Sequence, residues 1–289
     1  MANSDCSIIS CTEMINGAKR QIHWIFPCIA KNIAETGASR YVITLMQGRK
    51  YMLAPNETYD KIAGTKPGEA CAVRDVPMEL GLELKKYGID LYLYYTGDGP
   101  YGDEVIGKRF GFTEPRKNVS MEFVQKWASV LREYSIRYGD LVKGWWIDGC
   151  YDYFGYTDEL LAPYYDACKA GNPECLVSMN NGIGINRHHS RDEYTCGEYN
   201  DFTEVPEMQF VDGAQVHILA PLGVAPDGVE WLSWNRPGLK RNAEYLADYI
   251  RKLQKVPCPL TIDIHIRRDG SFDAEQLNEL VKLSKLLDK

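Results

Sequence analysis

Residues 143–156, KGWWIDGCYDYFGY, run from a strongly apolar stretch directly into a carboxylate. GWWI has the aromatic and β-branched composition of a buried strand, and Asp148-Gly149 follows at once, a dipeptide typical of turns. Burying an ionised carboxylate without partners is costly. Asp148 is therefore either a structural residue of a turn or a functional residue at the end of a strand. Other features of the sequence are needed to distinguish these interpretations.

Short strand-like runs alternate with amphipathic helical stretches along the chain, a pattern typical of βα units on a parallel sheet. The predicted strands are 41–45, 89–95, 144–147, 176–179, 210–218 and 260–264. The predicted helices are 26–36, 78–87, 122–138, 158–170, a stretch between 239 and 253, and 274–287. Four glycines, Gly37, Gly88, Gly139 and Gly171, follow helical runs at the positions of C-caps.

The spacing of these units favours a single (β/α) barrel, TIM-like and incomplete or rearranged, over an open doubly wound sheet. No glycine-rich phosphate loop follows the first predicted strand, and the loops GTKPGEA and TGDGPYGDE match neither nucleotide-binding fingerprint. No linker, repeat or low-complexity stretch interrupts the 289 residues. We therefore expect one α/β domain over residues 1–289.

Composition narrows the expected partners. The formal charge of -7 argues against a general nucleic-acid binder, and no apolar run approaches the length of a membrane span. Nineteen Tyr and six Trp would suit a carbohydrate substrate, because their rings are apolar with a polar edge. Each ring taken alone is equally explained as part of the core.

The cysteines favour a reducing compartment. Nine is an odd number, no CxxC pair or zinc-ligand spacing occurs, and the adjacent His188 and His189 do not point to one side of an element. We therefore expect no metal and no cofactor. The cytoplasm is the default location, because the N-terminus lacks the pattern of a secretory signal; a secreted or periplasmic protein is expected instead if a signal has been removed.

The motif Trp146-Ile147-Asp148-Gly149 resembles the strand motif of the α-L-fucosidase family of retaining glycoside hydrolases (family 29-like), whose aspartate is the nucleophile. Around it, RYVITL, RDVPMELGLELKKYGIDLYLYYT and YGDLVKGWWIDG are similar to the family, and PLTIDIHIRRDGSFDAEQLNELVKL resembles its closing strand, turn and helix. The resemblance runs from about Trp24 to the C-terminus. It implies a catalytic barrel with Asp148 as nucleophile.

The resemblance also implies a second carboxylate. The family has an arginine-bearing segment and then an acid about a dozen residues later, and in MNNGIGINRHHSRDEYTCGEYNDF these positions are Arg187, an expected substrate-binding residue, and Glu198. Retaining glycosidases need two carboxylates about 5–5.5 Å apart, in environments different enough to keep one protonated. Glu198 is thus the expected acid/base, with nearby acids as competitors: Asp192, Glu193, Asp201 and Glu204.

Further substrate-binding candidates come from strand ends and from the resemblance. Asp98 follows a predicted strand in YYTGDGP, and Trp146 lies beside the expected nucleophile. Trp231 and Trp234, in GVEWLSWNRP, fall where the family has a tryptophan-containing loop. Core packing is the alternative for the tryptophans.

The sequence departs from the family in two places. The family's first strand ends in a histidine-tryptophan-glycine motif, whereas here IHW at 22–24 lies too close to the next strand, so we expect that strand to be missing or rebuilt. After the second strand, Met46-Gln47-Gly48-Arg49 replaces a histidine-bearing motif. We expect Gln47 to contact the sugar and Arg49 to pair with an acidic substituent such as a uronate or sulfate; the alternative is that Arg49 faces water.

Three functions are therefore compared. The first is a retaining exo-glycosidase acting on an α-L-fucoside or related α-L-glycoside. The second is a catalytically inactive carbohydrate-binding protein derived from the same barrel, which the lost histidines favour and the two retained carboxylates disfavour. The third, a metal hydrolase, lacks a convincing ligand set in the sequence.

Overall fold

A computed structural model describes residues 25–112, 114–199, 201–229 and 232–287, together with the backbone of residues 6–10. The helices are α1 (Ile25–Glu35), α2 (Glu57–Ala63), α3 (Val76–Lys85), α4 (Glu104–Phe110), α5 (Met121–Tyr138), α6 (Asp158–Lys169), α7 (Ala243–Leu253) and α8 (Ala274–Leu287). The strands are β1 (Cys6–Ser10), β2 (Arg40–Thr44), β3 (Asp90–Thr96), β4 (Val142–Asp148), β5 (Leu176–Met179), β6 (Phe210–Val211), β7 (Ala214–Gln215), β8 (Ile218–Pro221) and β9 (Leu260–Asp263). Within these ranges, no helix combines the length and apolarity needed to cross a membrane.

Seven strands form one parallel sheet in the order β5-β4-β3-β2-β1-β9-β8, and β6 and β7 form a separate antiparallel hairpin. Residues 193–199 bond to both edge strands of the sheet. On one side the Glu193 amide donates to the Val177 carbonyl of β5 at 3.1 Å, and on the other the Leu219 amide of β8 donates to Gly197 at 2.8 Å. The predicted α/β fold with a parallel sheet is confirmed.

Both faces of the sheet are buried, as is usual for parallel sheets. Strand residues alternate between two clusters: Trp145 and Ile147 of β4 join the large core beneath the helices, whereas Trp146 joins a smaller cluster on the opposite face. The smaller cluster comprises Val42, Tyr92, Tyr94, Trp146, Tyr194, Cys196 and Leu219. The alternation follows from the two-residue period of a strand.

Local sequence signals account for most helix boundaries. In α1, Phe26, Ile29, Ala30 and Ile33 are buried, which is the spacing of one helical face. Gly37 lies at φ 74°, where a glycine stop avoids the strain of a side chain. Gly171 is different. A Cβ there would lie 1.8 Å from the Ser135 carbonyl oxygen, so this glycine permits close packing of α6 against α5.

The structure corrects the prediction in three places. The first strand is neither missing nor rebuilt near IHW, since β1 lies further upstream and pairs with β2 and β9. The single strand predicted over 210–218 is the β6–β7 hairpin followed by β8. Helices α2 and α4 were not predicted, although each begins at an N-cap, Asn56 and Asp103, whose side chain accepts a backbone hydrogen bond. Trp24 lies outside the described residues.

Candidate active site

The predicted carboxylates lie at the carboxyl ends of the strands. Asp148 is the last residue of β4, Asn180 follows β5 directly, and Glu198 lies in the 193–199 segment beside β8. In parallel α/β folds the loops at this end carry the ligand sites. Asp148 and Glu198 are both half-buried, so each is accessible while partly removed from water.

A single amide group connects the two carboxylates. Asn180 Nδ2 donates to Asp148 Oδ1 at 2.9 Å and to Glu198 Oε2 at 2.6 Å. Its carbonyl oxygen accepts from the Gly182 backbone amide at 3.0 Å, which fixes the orientation of the side chain. Because an amide nitrogen carries two hydrogens, Asn180 serves both acids at once and holds them in one geometry.

Two tyrosines complete the hydrogen bonding of Asp148. The Tyr94 hydroxyl donates to Asp148 Oδ2 and also contacts the side-chain amide of Gln47. The Tyr151 hydroxyl donates to Oδ1 at 3.3 Å. Trp146 stacks on Tyr94 with ring centroids 5.2 Å apart. Together with Asn180, the two tyrosines give Asp148 three hydrogen bonds, which offset the cost of placing an acid at the end of an apolar strand.

Burial and, after it, the negative charge of Asp148 raise the pKa of Glu198 to about 7, while the Asn180 hydrogen bond opposes the shift. A carboxyl group with that pKa carries its proton in a large fraction of molecules at neutral pH. The pair therefore offers one proton donor beside one hydrogen-bonded carboxylate, which is the division of roles that acid-assisted bond cleavage requires.

Asp98 lies at the same end of the sheet, but it faces inward. It is 2% exposed and accepts from the Thr96 hydroxyl and, at 2.7 Å, from Arg116 Nε. Burial raises its pKa to about 7, with Arg116 opposing. A Cβ on Gly149 would lie 2.6 Å from the Asp98 carboxyl carbon. Asp98 thus packs directly behind the turn that follows Asp148.

The acids that compete with Glu198 in sequence have other partners. Glu193 pairs with Lys169 and accepts from the Val177 amide at 2.8 Å. Asp201 pairs with Arg241 at 2.6 Å. Asp192 is buried and accepts from the His189 amide at 2.9 Å, and burial raises its pKa to about 7. The contact with Asn180 thus sets Glu198 apart from these three acids.

The remaining predicted binding residues are spread around this centre. Arg187 donates to the Asp212 carbonyl at 2.7 Å, in the turn between β6 and β7. Its guanidinium therefore stabilises that turn rather than contacting the two carboxylates. Trp146 is 4% exposed, so its ring supports Tyr94 rather than presenting a face to a ligand. Trp234 packs against the smaller cluster. Trp231 lies outside the described residues.

The loop after β2 borders a cavity of about 580 Å³. Its lining residues are Gln47, Gly48, Arg49, Lys50, Tyr51, Tyr101, Gly102 and Asp103. Gln47 and Arg49 are exposed, and the Gln47 contact with Tyr94 connects this cavity to Asp148. Gln47 is therefore brought to the carboxylates, whereas Arg49 lies along the neighbouring cavity.

Histidine and cysteine side chains contribute little to this centre. Across the described ranges, no group of three or more His, Cys, Asp or Glu side chains is arranged to hold a metal ion. His188 contacts the Cys150 carbonyl at 2.7 Å, and the buried His217 lies 2.7 Å from the Thr261 hydroxyl.

Sequence reasoning missed three residues of the site: Asn180, Tyr94 and Tyr151. Asn180 gave a usable signal, because it directly follows a predicted strand in MNNG, where the other site residues also lie. Tyr151 belongs to the aromatic loop after Asp148. Tyr94 lies inside a strand rich in tyrosine, and no local feature separates it from its neighbours.

No protein-family model matches the chain, and no curated protein is significantly similar to it in sequence. Solved structures are similar in fold. An endo-fucoidan hydrolase of glycoside hydrolase family 107 has a TM-score of 0.75 at 15% identity, covering 99% of this chain and 53% of its own, so this chain spans about half its length. The α-L-fucosidase AlfC from Lactobacillus casei, in complex with α-L-fucose, has a TM-score of 0.69 at 15% identity, with 99% and 96% covered.

A family 29 α-L-fucosidase from Bacteroides thetaiotaomicron has a TM-score of 0.68 at 14% identity, covering 99% of this chain and 72% of its own. These three proteins are fucose-active glycoside hydrolases by name. The chain therefore has a fold like that of fucose-active glycoside hydrolases.

Proposed function

We propose that this protein is a retaining exo-glycosidase that hydrolyses an α-L-fucoside or a related α-L-glycoside. The observation that carries the proposal is the amide of Asn180, which donates to Asp148 and Glu198 together. Glycoside hydrolysis requires two carboxyl groups in different environments, and here they lie at the open end of a parallel sheet, with the pKa of Glu198 raised to about 7.

The hydrogen-bond lengths support retention over inversion. Oδ1 of Asp148 and Oε2 of Glu198 lie 2.9 and 2.6 Å from the same nitrogen. The sum of these two distances is the greatest possible separation of the two oxygens. It lies at the upper limit of the about 5–5.5 Å typical of retaining pairs and below the about 6.5–9.5 Å that leaves room for a water in inverting pairs.

In the proposed reaction, Asp148 attacks the anomeric carbon while Glu198 transfers its proton to the departing glycosidic oxygen. The products of this step are a glycosyl ester on Asp148, the released alcohol and an ionised Glu198. Glu198 then takes a proton from water as the water attacks the anomeric carbon, which releases the sugar and restores both acids. Tyr94 and Tyr151 hold Asp148 in position through its two oxygens.

The fold supports the same proposal, although it is less specific than the site. We infer that the 193–199 segment takes the sixth strand position of a TIM-like barrel, because it bonds to β5 and to β8. On this arrangement the smaller buried cluster fills the barrel interior beneath the carboxylates. The names of the similar structures suggest fucose as the sugar class, and residues 1–289 would act as one catalytic domain.

An inactive carbohydrate-binding protein is the second candidate. The observation that favours it is Gln47, which stands where the resembling family has a histidine motif and contacts Tyr94 instead. Loss of imidazole contacts to the sugar would weaken binding of the glycosyl unit and hence the positioning that catalysis needs.

Turnover of a panel of aryl α-L-glycosides, measured beside calorimetric binding of the free sugars, separates the two candidates. We expect hydrolysis of 4-nitrophenyl α-L-fucoside or a close relative, with the α-anomer as the first product in an early proton NMR spectrum. Asp166→Asn is the control and should act as wild type, since this exposed acid of α6 pairs with Arg191 and contacts neither carboxylate. Binding of a free sugar without turnover of any glycoside would select the binding protein, and an initial β-anomer would rule out retention.

A further inference from the structure

Two exposed apolar side chains flank the carboxylate pair without a role in the proposed reaction. Tyr153, in the loop after β4, is 74% exposed, and Ile183, in the loop after β5, is 62% exposed. Single exposed apolar residues are common on protein surfaces. These two differ because each is connected by a short chain of contacts to one of the proposed catalytic acids.

Tyr153 is connected to Asp148 through Tyr151. The two rings stack with centroids 5.1 Å apart and planes 11° from parallel, and the Tyr151 hydroxyl donates to Asp148. Phe154, which is buried, meets the edge of Tyr153 at 4.5 Å. One face of the Tyr153 ring is therefore covered by protein, and its high exposure leaves the other face to solvent.

Ile183 is connected to Glu198 through the backbone. The amide of the next residue, Gly184, donates to the Glu198 carbonyl at 3.1 Å. On its other side, a Cβ at Gly182 would lie 3.8 Å from the Tyr151 ring. Ile183 thus lies in a short loop that contacts both Tyr151 and the 193–199 segment, which carries Glu198.

The two loops are fixed to each other. The Asp152 amide donates to Asn181 Oδ1 at 3.0 Å, and Asn181 Nδ2 donates back to Asp152 Oδ2 at 2.9 Å. The Cys150 amide donates to the Asn180 carbonyl at 3.1 Å, which ties the two strand ends together. A surface that is ordered before a ligand arrives loses less entropy on binding.

We propose that Tyr153 and Ile183 form a binding subsite for the leaving group, and that the leaving group is itself a sugar ring. The inference rests on the proposed function, because the acid that protonates the glycosidic oxygen must lie next to the departing group. Glu198 is that acid, and both side chains lie on loops that contact its surroundings. The open face of a tyrosine ring suits the apolar face of a pyranose, and Ile183 adds apolar surface on the loop that is hydrogen-bonded to that of Tyr153.

Two substrates with the same glycosyl unit test the subsite. α-L-Fucosyl fluoride has a single-atom leaving group, whereas an α-L-fucosyl-galactose disaccharide has a ring there. We expect Tyr153→Ala to lower kcat/KM for the disaccharide roughly two- to tenfold, the range of one aromatic stacking contact, and to leave kcat/KM for the fluoride unchanged. Ile183→Ala should act in the same direction with a smaller effect.

Two controls isolate the ring. Tyr153→Phe should retain disaccharide activity, since it keeps the aromatic face. Tyr87→Ala should change neither substrate, because Tyr87 is 48% exposed but lies before β3, at the opposite end of the strands. Equal losses on both substrates, or no loss on either, in Tyr153→Ala would overturn the subsite.

Failure of the proposed function can be distinguished from failure of the subsite. If wild type hydrolyses neither substrate, the proposed hydrolysis is wrong, and calorimetry with the disaccharide and free L-fucose still tests the subsite. Tyr153→Ala should then weaken binding of the disaccharide roughly two- to tenfold and leave binding of fucose unchanged. Equal affinities of wild type and variant for the disaccharide in this binding experiment would also overturn the subsite.

Discussion

Glu198 and Asp98 are two acids at the same end of the sheet, and the pKa of each is raised to about 7. Their surroundings differ. Glu198 is half-buried and shares the Asn180 amide with a second carboxylate, whereas Asp98 is 2% exposed and pairs with Arg116. The same pKa thus arises in an open site and in a closed ion pair.

The difference teaches that the cause of a raised pKa is more informative than its size. Burial acts on both acids, but the charge of Asp148 adds to the shift of Glu198, while Arg116 opposes the shift of Asp98. In the proposed reaction Asp148 becomes an ester and loses its charge, so the pKa of Glu198 should fall and the residue should change from acid to base. Asp98 is also affected by Asp148, but its larger electrostatic partner is Arg116.

The largest expected effect tests the open site. Asp148→Asn should lower kcat on aryl α-L-fucosides by several orders of magnitude, because no glycosyl ester can form. Mass spectrometry after incubation with a 2-fluoro glycosyl fluoride should show a covalent adduct on wild type and none on the variant. An adduct that forms equally on Asp148→Asn would place the nucleophile elsewhere.

The second effect concerns the proton of Glu198. Glu198→Ala should lower kcat on poor leaving groups about 10²–10⁴-fold and spare activated aryl glycosides. In wild type, kcat/KM for a disaccharide should fall as pH rises through about 7, because the protonated fraction of Glu198 falls there. The variant should lack this alkaline decrease. Equal losses on both leaving-group classes would remove Glu198 from the role of acid.

The third effect concerns the closed ion pair and should appear in stability rather than in chemistry. Burial raises the folded-state pKa of Asp98 above its unfolded value of 3.8, so the stability linked to its proton is present below about pH 4 and is lost as pH rises through about 7. Asp98→Asn removes this dependence. Relative to wild type, its free energy of unfolding should increase by up to about 4 kcal/mol between pH 4 and 8.

Denaturant unfolding of both proteins over that pH range measures the difference. Asp166→Asn, which changes an exposed acid of α6, serves as the control and should follow wild type at every pH. We also expect Asp98→Asn to retain kcat within about tenfold, since Asp98 is hydrogen-bonded to Thr96 and Arg116 rather than to Asp148. A loss as large as that of Asp148→Asn would mean that the two acids act as one unit.

The smallest effect concerns the cavity after β2. If Arg49 pairs with an acidic substituent, Arg49→Ala should lower kcat/KM for sulfated or uronate-bearing glycans about tenfold and leave neutral ones unchanged. Arg251→Ala, an exposed arginine of α7, is the matched control. Unchanged selection between acidic and neutral glycans would mean that Arg49 only faces water. Gln47→Ala should lower activity on both classes, because Gln47 contacts Tyr94 beside Asp148.

Periodicity and strand composition were sufficient to predict the α/β fold, since α5 buries one face at helical spacing and β3 is a continuous buried run typical of a parallel sheet. They were insufficient for α2 and α4, which have seven residues each and therefore too few turns to show a period. The first strand was missed for a related reason. CSIIS is short and has no distinctive flanks, and its pairing with β2 and β9 is a long-range property.

The sequence by itself determined that Asp148 ends a strand, because an apolar run followed by Asp-Gly has few other solutions in a parallel sheet. It also pointed to Glu198, through a resemblance. The tertiary structure alone decided which acids meet. Asn180 joins residues separated by 50 positions only because β4, β5 and the 193–199 segment lie side by side, and hydrogen bonding over about 3 Å depends on that placement rather than on any local pattern.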